Sequence, residues 1–342
     1  MLQSRNYVYA ERNKDSVVNL DWNEADQNVT VYENDLINCL SDIKLHMYGE
    51  YFPSHIRKLV NDFYGVSYQS ILPVPGVDYG IEQVLRVLCE NRKEVVCSVL
   101  SYKHFEVFAR QFNASVKHIN NDEIKKMKDY SGILYLVNPN NPTGQLLEIE
   151  EMIMIVERNL DAIVIVDEAY IEFSNQESLV CFANKFDNLI VLRTMSKAFG
   201  LAGVKYGLIF TSENIASLLY PAINRKCISN IVNYIINIAL QRADRLQAYT
   251  KEVLETKERC ADIIGEKIAS EANFFTLLVN SVEKYREIQR KHKIATRSLS
   301  ETYGVHNGYR LTIPGKKNRE LFYNFIQDLK QNNVIKKVEN YD

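Results

Sequence analysis

The feature that most constrains this chain is a series of short strand-like runs, most of them continuous and apolar, at residues 95–100, 115–119, 133–137, 162–166, 189–192 and 206–210. Polar residues do not alternate with apolar ones in the continuous runs, so strands formed from them would be buried on both faces, as in a mainly parallel sheet. The gaps 138–161 and 167–188 are 24 and 22 residues long. Each has room for one crossover helix and its loops, as a βαβ unit requires, and residues 147–159 read as one such helix. The pattern predicts an α/β fold whose large domain is a mainly parallel sheet sandwiched by helices.

From about residue 214 the pattern changes. Residues 229–268 read as a long helical stretch, followed by a strand at 274–279, a helix at 282–292, a strand at 310–313 and a final helix at 317–331. This α+β tail predicts a smaller carboxyl-terminal domain. The expected division is an amino-terminal arm or small-domain segment over 1–30, a large domain over 31–225 and a small domain over 226–342. The length of 342 residues suits about two domains.

Composition narrows the function. Lys and Arg number 41 against 43 Asp and Glu, for a net charge of −2, which leaves no basic footprint for nucleic acid. No apolar run approaches the roughly 20 residues of a membrane helix. The opening stretch MLQSRNYVYAERNKDS lacks the apolar segment of a secretory signal. A cytoplasmic protein acting on small molecules is expected, with no membrane or nucleic-acid partner. Cys39, Cys89, Cys97, Cys181, Cys227 and Cys260 are dispersed and form no CxxC pair, so reduced core thiols are expected. No HExxH or HxxxH is present, and no metal is expected.

In open parallel sheets ligands sit beyond the carboxyl ends of the strands. After 133–137 comes Asn138-Pro139-Asn140-Asn141-Pro142-Thr143-Gly144; after 162–166, Asp167-Glu168-Ala169-Tyr170; after 189–192, Arg193-Thr194-Met195-Ser196-Lys197. An amide-rich turn, a carboxylate with a phenol, and a lysine beside a hydroxyl would meet in one crevice. Singly, each has an ordinary reading: a turn pair, a helix-capping aspartate, an uninformative Ser-Lys. Jointly and in this order they match the needs of pyridoxal 5'-phosphate (PLP). A lysine amine forms a Schiff base, a buried carboxylate keeps the pyridine nitrogen protonated, and hydroxyls and cations at a helix start hold a phosphate.

These motifs, with Gly203, resemble the fold-type I PLP-dependent aminotransferases of class I/II. They are most like the histidinol-phosphate aminotransferase-like enzymes, a group that includes threonine-phosphate decarboxylase. The likeness runs from Leu20-Asp21-Trp22-Asn23-Glu24 to Tyr309-Arg310-Leu311-Thr312-Ile313. It implies Lys197 as the Schiff-base lysine and proton shuttle, Asp167 as the pyridine-nitrogen partner, and Asn141 and Tyr170 as ligands of the phenolate oxygen. Tyr102 would stack on the ring. Val77, Asp78 and Ser196 would meet the phosphate, and Tyr48 would reach the phosphate of a neighbouring subunit, implying a homodimer with shared active sites. Arg310 would hold a substrate carboxylate, with Arg297 and Asn23 as further substrate contacts.

The chain departs from the resemblance where Lys205 stands for the usual phosphate-binding arginine, where Asn23-Glu24-Ala25-Asp26 replaces Asn-Glu-Asn-Pro, where Tyr79 replaces an acidic residue, and where Asn91-Arg92-Lys93-Glu94 replaces a Pro-Gly-Asp turn. The implied reaction is amino transfer between an amino acid, glutamate being the first to consider, and a small keto or amino substrate that could bear a phosphate. The alternative on the same scaffold is decarboxylation of a small phosphorylated amino acid.

Overall fold

The computed structural model describes residues 18–39, 43–67 and 70–338. The first 17 residues of the expected arm and the Cys39 side chain lie outside the described part. The strands of the described residues are, in chain order, β1 (Val18–Leu20), β2 (Ile71–Val74), β3 (Glu94–Ser98), β4 (Ser115–Ile119), β5 (Ile133–Val137), β6 (Ile163–Asp167), β7 (Leu189–Thr194), β8 (Gly207–Thr211), β9 (Phe274–Val279), β10 (Ile294–Ser298), β11 (Gly308–Thr312) and β12 (Ile335–Val338).

Seven of them form one sheet in the order β2-β8-β7-β6-β5-β3-β4. The five from β4 to β7 are parallel, and β8 and β2 complete the sheet in antiparallel fashion. The unbroken apolar runs have a direct cause. Ile133, Tyr135, Ile163, Ile165, Ile190 and Leu192 pack into one core, while Leu134, Leu136, Val164, Val166, Leu189 and Val191 pack into another on the opposite face. The exception is β4, at one edge of the sheet, whose first four residues, Ser115-Val116-Lys117-His118, are exposed or half-buried.

The second sheet, β1-β10-β11-β9-β12, is antiparallel except for the β1–β10 pair. Three of its strands, β1, β10 and β12, are absent from the sequence reading. They are short or polar: β10 reads Ile-Ala-Thr-Arg-Ser and β12 carries two lysines. The expected helix over 229–268 is two helices, Asn230–Leu240 and Ala243–Ile264, separated at Gln241 and Arg242. Arg242 is turned out of helical geometry, and its guanidinium forks onto the Asp35 carboxylate at 2.6 and 2.7 Å. That clasp ties the amino-terminal segment to the later helices.

Cys89, Cys97 and Cys260 are buried thiols, but Cys181 is exposed, which corrects the expectation of core burial there. No helix among the described residues is long and apolar enough to cross a membrane. No cluster of three or more potential metal ligands occurs among them.

One close approach seats the helix Val77–Leu88 on the large sheet. A Cβ added to Gly207 would lie 2.9 Å from Val77 Cγ2 and 3.0 Å from the Val77 amide nitrogen. Gly203, nearby in sequence, faces open space. Gly207→Ala should therefore cost about 1–3 kcal/mol of stability through overpacking against backbone, whereas Gly203→Ala should be close to neutral. Urea denaturation of both variants checks this; equal midpoints would show that the helix start yields freely.

Candidate active site

The carboxyl ends of β3, β5, β6 and β7 face a cavity of about 500 Å³, a volume typical of small-molecule sites. Chain order reverses across β3, whose neighbours are β4 and β5, and such switch points open a crevice. Tyr102 follows β3, Asn141 follows β5, Asp167 ends β6, and Ser196 and Lys197 follow β7; all line the cavity with Val77, Asp78, Tyr170 and Lys205. The second sheet contributes Arg297 and Arg310, and the amino-terminal segment contributes Asn23. Of the residues singled out in the sequence, Tyr48 alone stands apart, 77% exposed on the surface with the Lys226 ammonium over its ring.

Lys197 Nζ donates to the Trp22 carbonyl at 2.9 Å. Burial and the neighbouring Arg310 charge lower its pKa to about 8, so far more of the amine is neutral near physiological pH than in an ordinary lysine, although the ammonium still predominates. Asp167 receives hydrogen bonds from the Tyr135 hydroxyl at 3.0 Å and the Ala169 amide at 3.1 Å. Burial pushes its carboxyl up to about 7, against the pull of those bonds and of Lys197. No cationic side chain pairs with Asp167 among the described residues.

Asn23 sits at φ 54° and donates to the Tyr170 hydroxyl at 3.0 Å, while its side-chain carbonyl accepts from Thr312 at 3.1 Å. Burial raises the Tyr170 phenol pKa. Asp78 accepts from the Tyr102 hydroxyl at 2.8 Å. Burial would raise its pKa, but the hydrogen bonds from His104 and Tyr102 outweigh that and hold it low. Lys205 takes the left-handed conformation (φ 56°), and its alkyl chain passes over Gly76 at the start of the helix Val77–Leu88.

Arg310 is buried and donates to Asn141 Oδ1 and to the Asp21 carbonyl, both at 2.6 Å, while its Nε has no hydrogen-bond partner among the described residues. Burial lowers its pKa. Arg297 lies directly opposite on β10, donating to Thr302 Oγ1 at 3.4 Å. Neither guanidinium pairs with a carboxylate among the described residues. Like charges opposed across a ladder repel, so the pair calls for an anion.

Behind the cavity, the sequence reading missed a buried ionic cluster. Arg193 reaches Glu168 at 3.1 Å, Glu172 at 2.5 Å and Ser178 at 2.8 Å. Arg193 and Glu168 lie within the strand-end motifs, but nothing in their spacing signals pairing. In the sequence Tyr135 is distinguished only as part of an apolar strand.

The family Aminotransferase class I and II matches residues 15–323. The chain belongs to the class I and II aminotransferases. It is 30% identical over 303 residues to the histidinol-phosphate aminotransferase of Francisella philomiragia, covering 78% of this chain and 80% of that one. The crystal structure of histidinol-phosphate aminotransferase from Sinorhizobium meliloti in complex with pyridoxal-5'-phosphate superposes with a TM-score of 0.79 at 19% identity, covering 93% and 92% of the two chains. The L-threonine-O-3-phosphate decarboxylase of Porphyromonas gingivalis shares the fold at a TM-score of 0.77 and 17% identity, covering 92% and 100%.

The protein is a PLP-dependent aminotransferase of fold type I. Its donor set fits the cofactor: a buried carboxylate without a cation, a lysine with a lowered pKa in the same cavity, and a cation beside a glycine-led helix start.

The Lys197 environment gives a measurable outcome. In the apoprotein, acylation of Lys197, followed by peptide mapping, should rise with pH through about 8 instead of 10.5. Arg310→Met removes a neighbouring positive charge and should move that midpoint upward. A midpoint near 10.5 in the unaltered protein would contradict the site's electrostatics.

Proposed function

We propose that this aminotransferase moves an amino group between an amino acid, with glutamate the first to test, and a small phosphorylated substrate, histidinol phosphate being the favoured case. The observation carrying this reading is the opposed Arg297–Arg310 pair, one member buried and neither paired with a carboxylate. A phosphate ester carries charge enough to offset both guanidiniums, and their planar forks suit its oxygens. The name borne by the 30% identical relative supports the same choice.

When bound, PLP supplies a carbonyl that condenses with amines and a ring that withdraws electrons from them. In this reading Lys197 Nζ would be the group that bonds it and would move the proton at the substrate α-carbon. Asp167 holds the ring-nitrogen proton, Asn141 and Tyr170 bind the phenolate oxygen, and Tyr102 stacks on the ring. The Val77 and Asp78 amides, Ser196 and Lys205 hold the phosphate at the helix start, where backbone N–H groups favour anions. Asn23 works on the substrate side by fixing the Tyr170 hydroxyl. Tyr48, exposed and remote from its own cavity, would reach the site of a second subunit in a cytoplasmic homodimer.

Two outcomes test this. With 2-oxoglutarate as acceptor, histidinol phosphate should be a substrate, and histidinol should be roughly 100-fold poorer in kcat/KM for want of charge-assisted bonds. Arg310→Lys should raise KM more than it lowers kcat, since an ammonium cannot reproduce the fork. Equal efficiency with and without the phosphate overturns the substrate reading, and carbon dioxide release from phosphothreonine without a keto product moves it to decarboxylation.

The second outcome concerns the phosphate end of the cofactor. Lys205→Ala should weaken PLP affinity, measured by fluorescence titration of the apoenzyme, while Lys205→Arg keeps or tightens it. Unchanged affinity in Lys205→Ala would reduce Lys205 to surface charge.

A further inference from the structure

Tyr135 lies in the middle of β5 and is fully buried, in a strand otherwise made of Ile, Leu and Val. An apolar side chain would fill that place without introducing a hydroxyl, and burying a hydroxyl costs free energy unless it is hydrogen-bonded. The Tyr135 hydroxyl donates to Asp167 Oδ2 at 3.0 Å. The register makes this reach possible. Val137 is the cross-strand partner of Asp167, and Tyr135, two residues earlier, projects from the same face, so the contact is a diagonal one available to a long side chain. The ring is held by stacking on Phe105, with centroids 4.1 Å apart and planes 17° from parallel. Phe105 belongs to the helix His104–Gln111, which begins two residues after Tyr102.

We infer that Tyr135 is a positioning residue of the reaction: pinned by Phe105, its hydroxyl fixes the orientation and the charge of the Asp167 carboxylate. The inference rests on the reading of Asp167 as the partner of the cofactor's ring nitrogen, and adds to it a residue outside the cavity wall.

The surroundings explain why such a donor is needed. Asp167 is buried, and the Asp78 carboxylate on the helix Val77–Leu88 disfavours its ionised form further. Lys197, from the segment after β7, and the Ala169 amide oppose that. Tyr170 lies on the same side of the cavity, and Cys97 on β3 faces Tyr135. Among the groups that favour the carboxylate, the Tyr135 hydrogen bond is the largest. The phenol itself is pushed well above its ordinary pKa by burial and by Asp167, so it remains a donor throughout the working range. A carboxylate deprived of that donor becomes more basic, and would leave a bound ring nitrogen less fully protonated and the ring a weaker electron sink.

Tyr135→Phe tests this, because it removes one oxygen and keeps both the ring volume and the stack on Phe105. The first measurement uses apoenzyme and no substrate: infrared difference titration of the buried carboxyl, assigned to Asp167 by its loss in Asp167→Asn. The midpoint should move to higher pH in Tyr135→Phe. In the loaded enzyme kcat should fall roughly tenfold, the effect of losing a hydrogen bond to a charged group, with KM within about twofold. A side chain that serves packing alone would alter the melting temperature and leave the carboxyl midpoint in place, and an unmoved midpoint overturns the proposal whatever the turnover. Undiminished turnover in Asp167→Asn would overturn the reading of Asp167 itself, and this inference with it.

Discussion

The parallel alignment of β5, β6 and β7 is the constraint on which the site depends. With Val137 beside Asp167 and Asp167 beside Leu192, β5 and β6 end level and β7 runs on two residues to Thr194, so the chain leaving each carboxyl end enters the same crevice. Asn141, Asp167 and Lys197 meet for that reason. The Arg193 cluster then ties the ends of β6 and β7 to each other from behind. Its guanidinium bridges Glu168, Glu172 and Ser178, and the Leu179 amide donates to Glu168 at 2.8 Å. A buried ion pair adds little net stability over a well-packed apolar core, yet removing one partner costs about 3–5 kcal/mol because it leaves a charge stranded. The cluster therefore resists any change in the separation between the segment bearing Asp167 and the segment bearing Lys197.

The charges inside the cavity govern one another. Lys197 is driven toward the neutral amine by burial and by Arg310, while Asp167 is driven toward the acid by burial and by Asp78. Each shift moves a group into the range where it can exchange a proton near neutral pH, which is where acid–base groups work most effectively. The second sheet supplies the arginines, and the amino-terminal segment connects the two halves. Asp21 and Asn23 engage Arg310, Tyr170 and Thr312, and Asp26 accepts from the Gly315 and Asn318 amides at 2.9 and 3.0 Å. At the position where the resemblance leads one to expect proline, this chain thus has a carboxylate that clasps the loop after β11.

What the sequence determined by itself is the large sheet apart from β2 (Ile71–Val74), and the order of the groups along its edge. Runs such as Ile133–Val137 are buried on both faces and leave an unambiguous apolar signature, and the turn, carboxylate and lysine motifs follow them directly in the chain. Short-range chemistry of that kind is written in consecutive residues. The small sheet was only partly legible, because β10 and β12 carry arginine or lysine and β1 is three residues long, so their stability comes from partners distant in sequence.

Tertiary structure alone decided the rest. The opposition of Arg297 to Arg310, the Lys197 bond to the Trp22 carbonyl, the Arg193 cluster and the reach of Tyr135 to Asp167 all join residues whose separation in the chain carries no periodic signal. Tyr135 shows the reason most plainly. In sequence it is one more large residue in a buried strand, and its hydroxyl acquires meaning only when the parallel register places a carboxylate diagonally across from it.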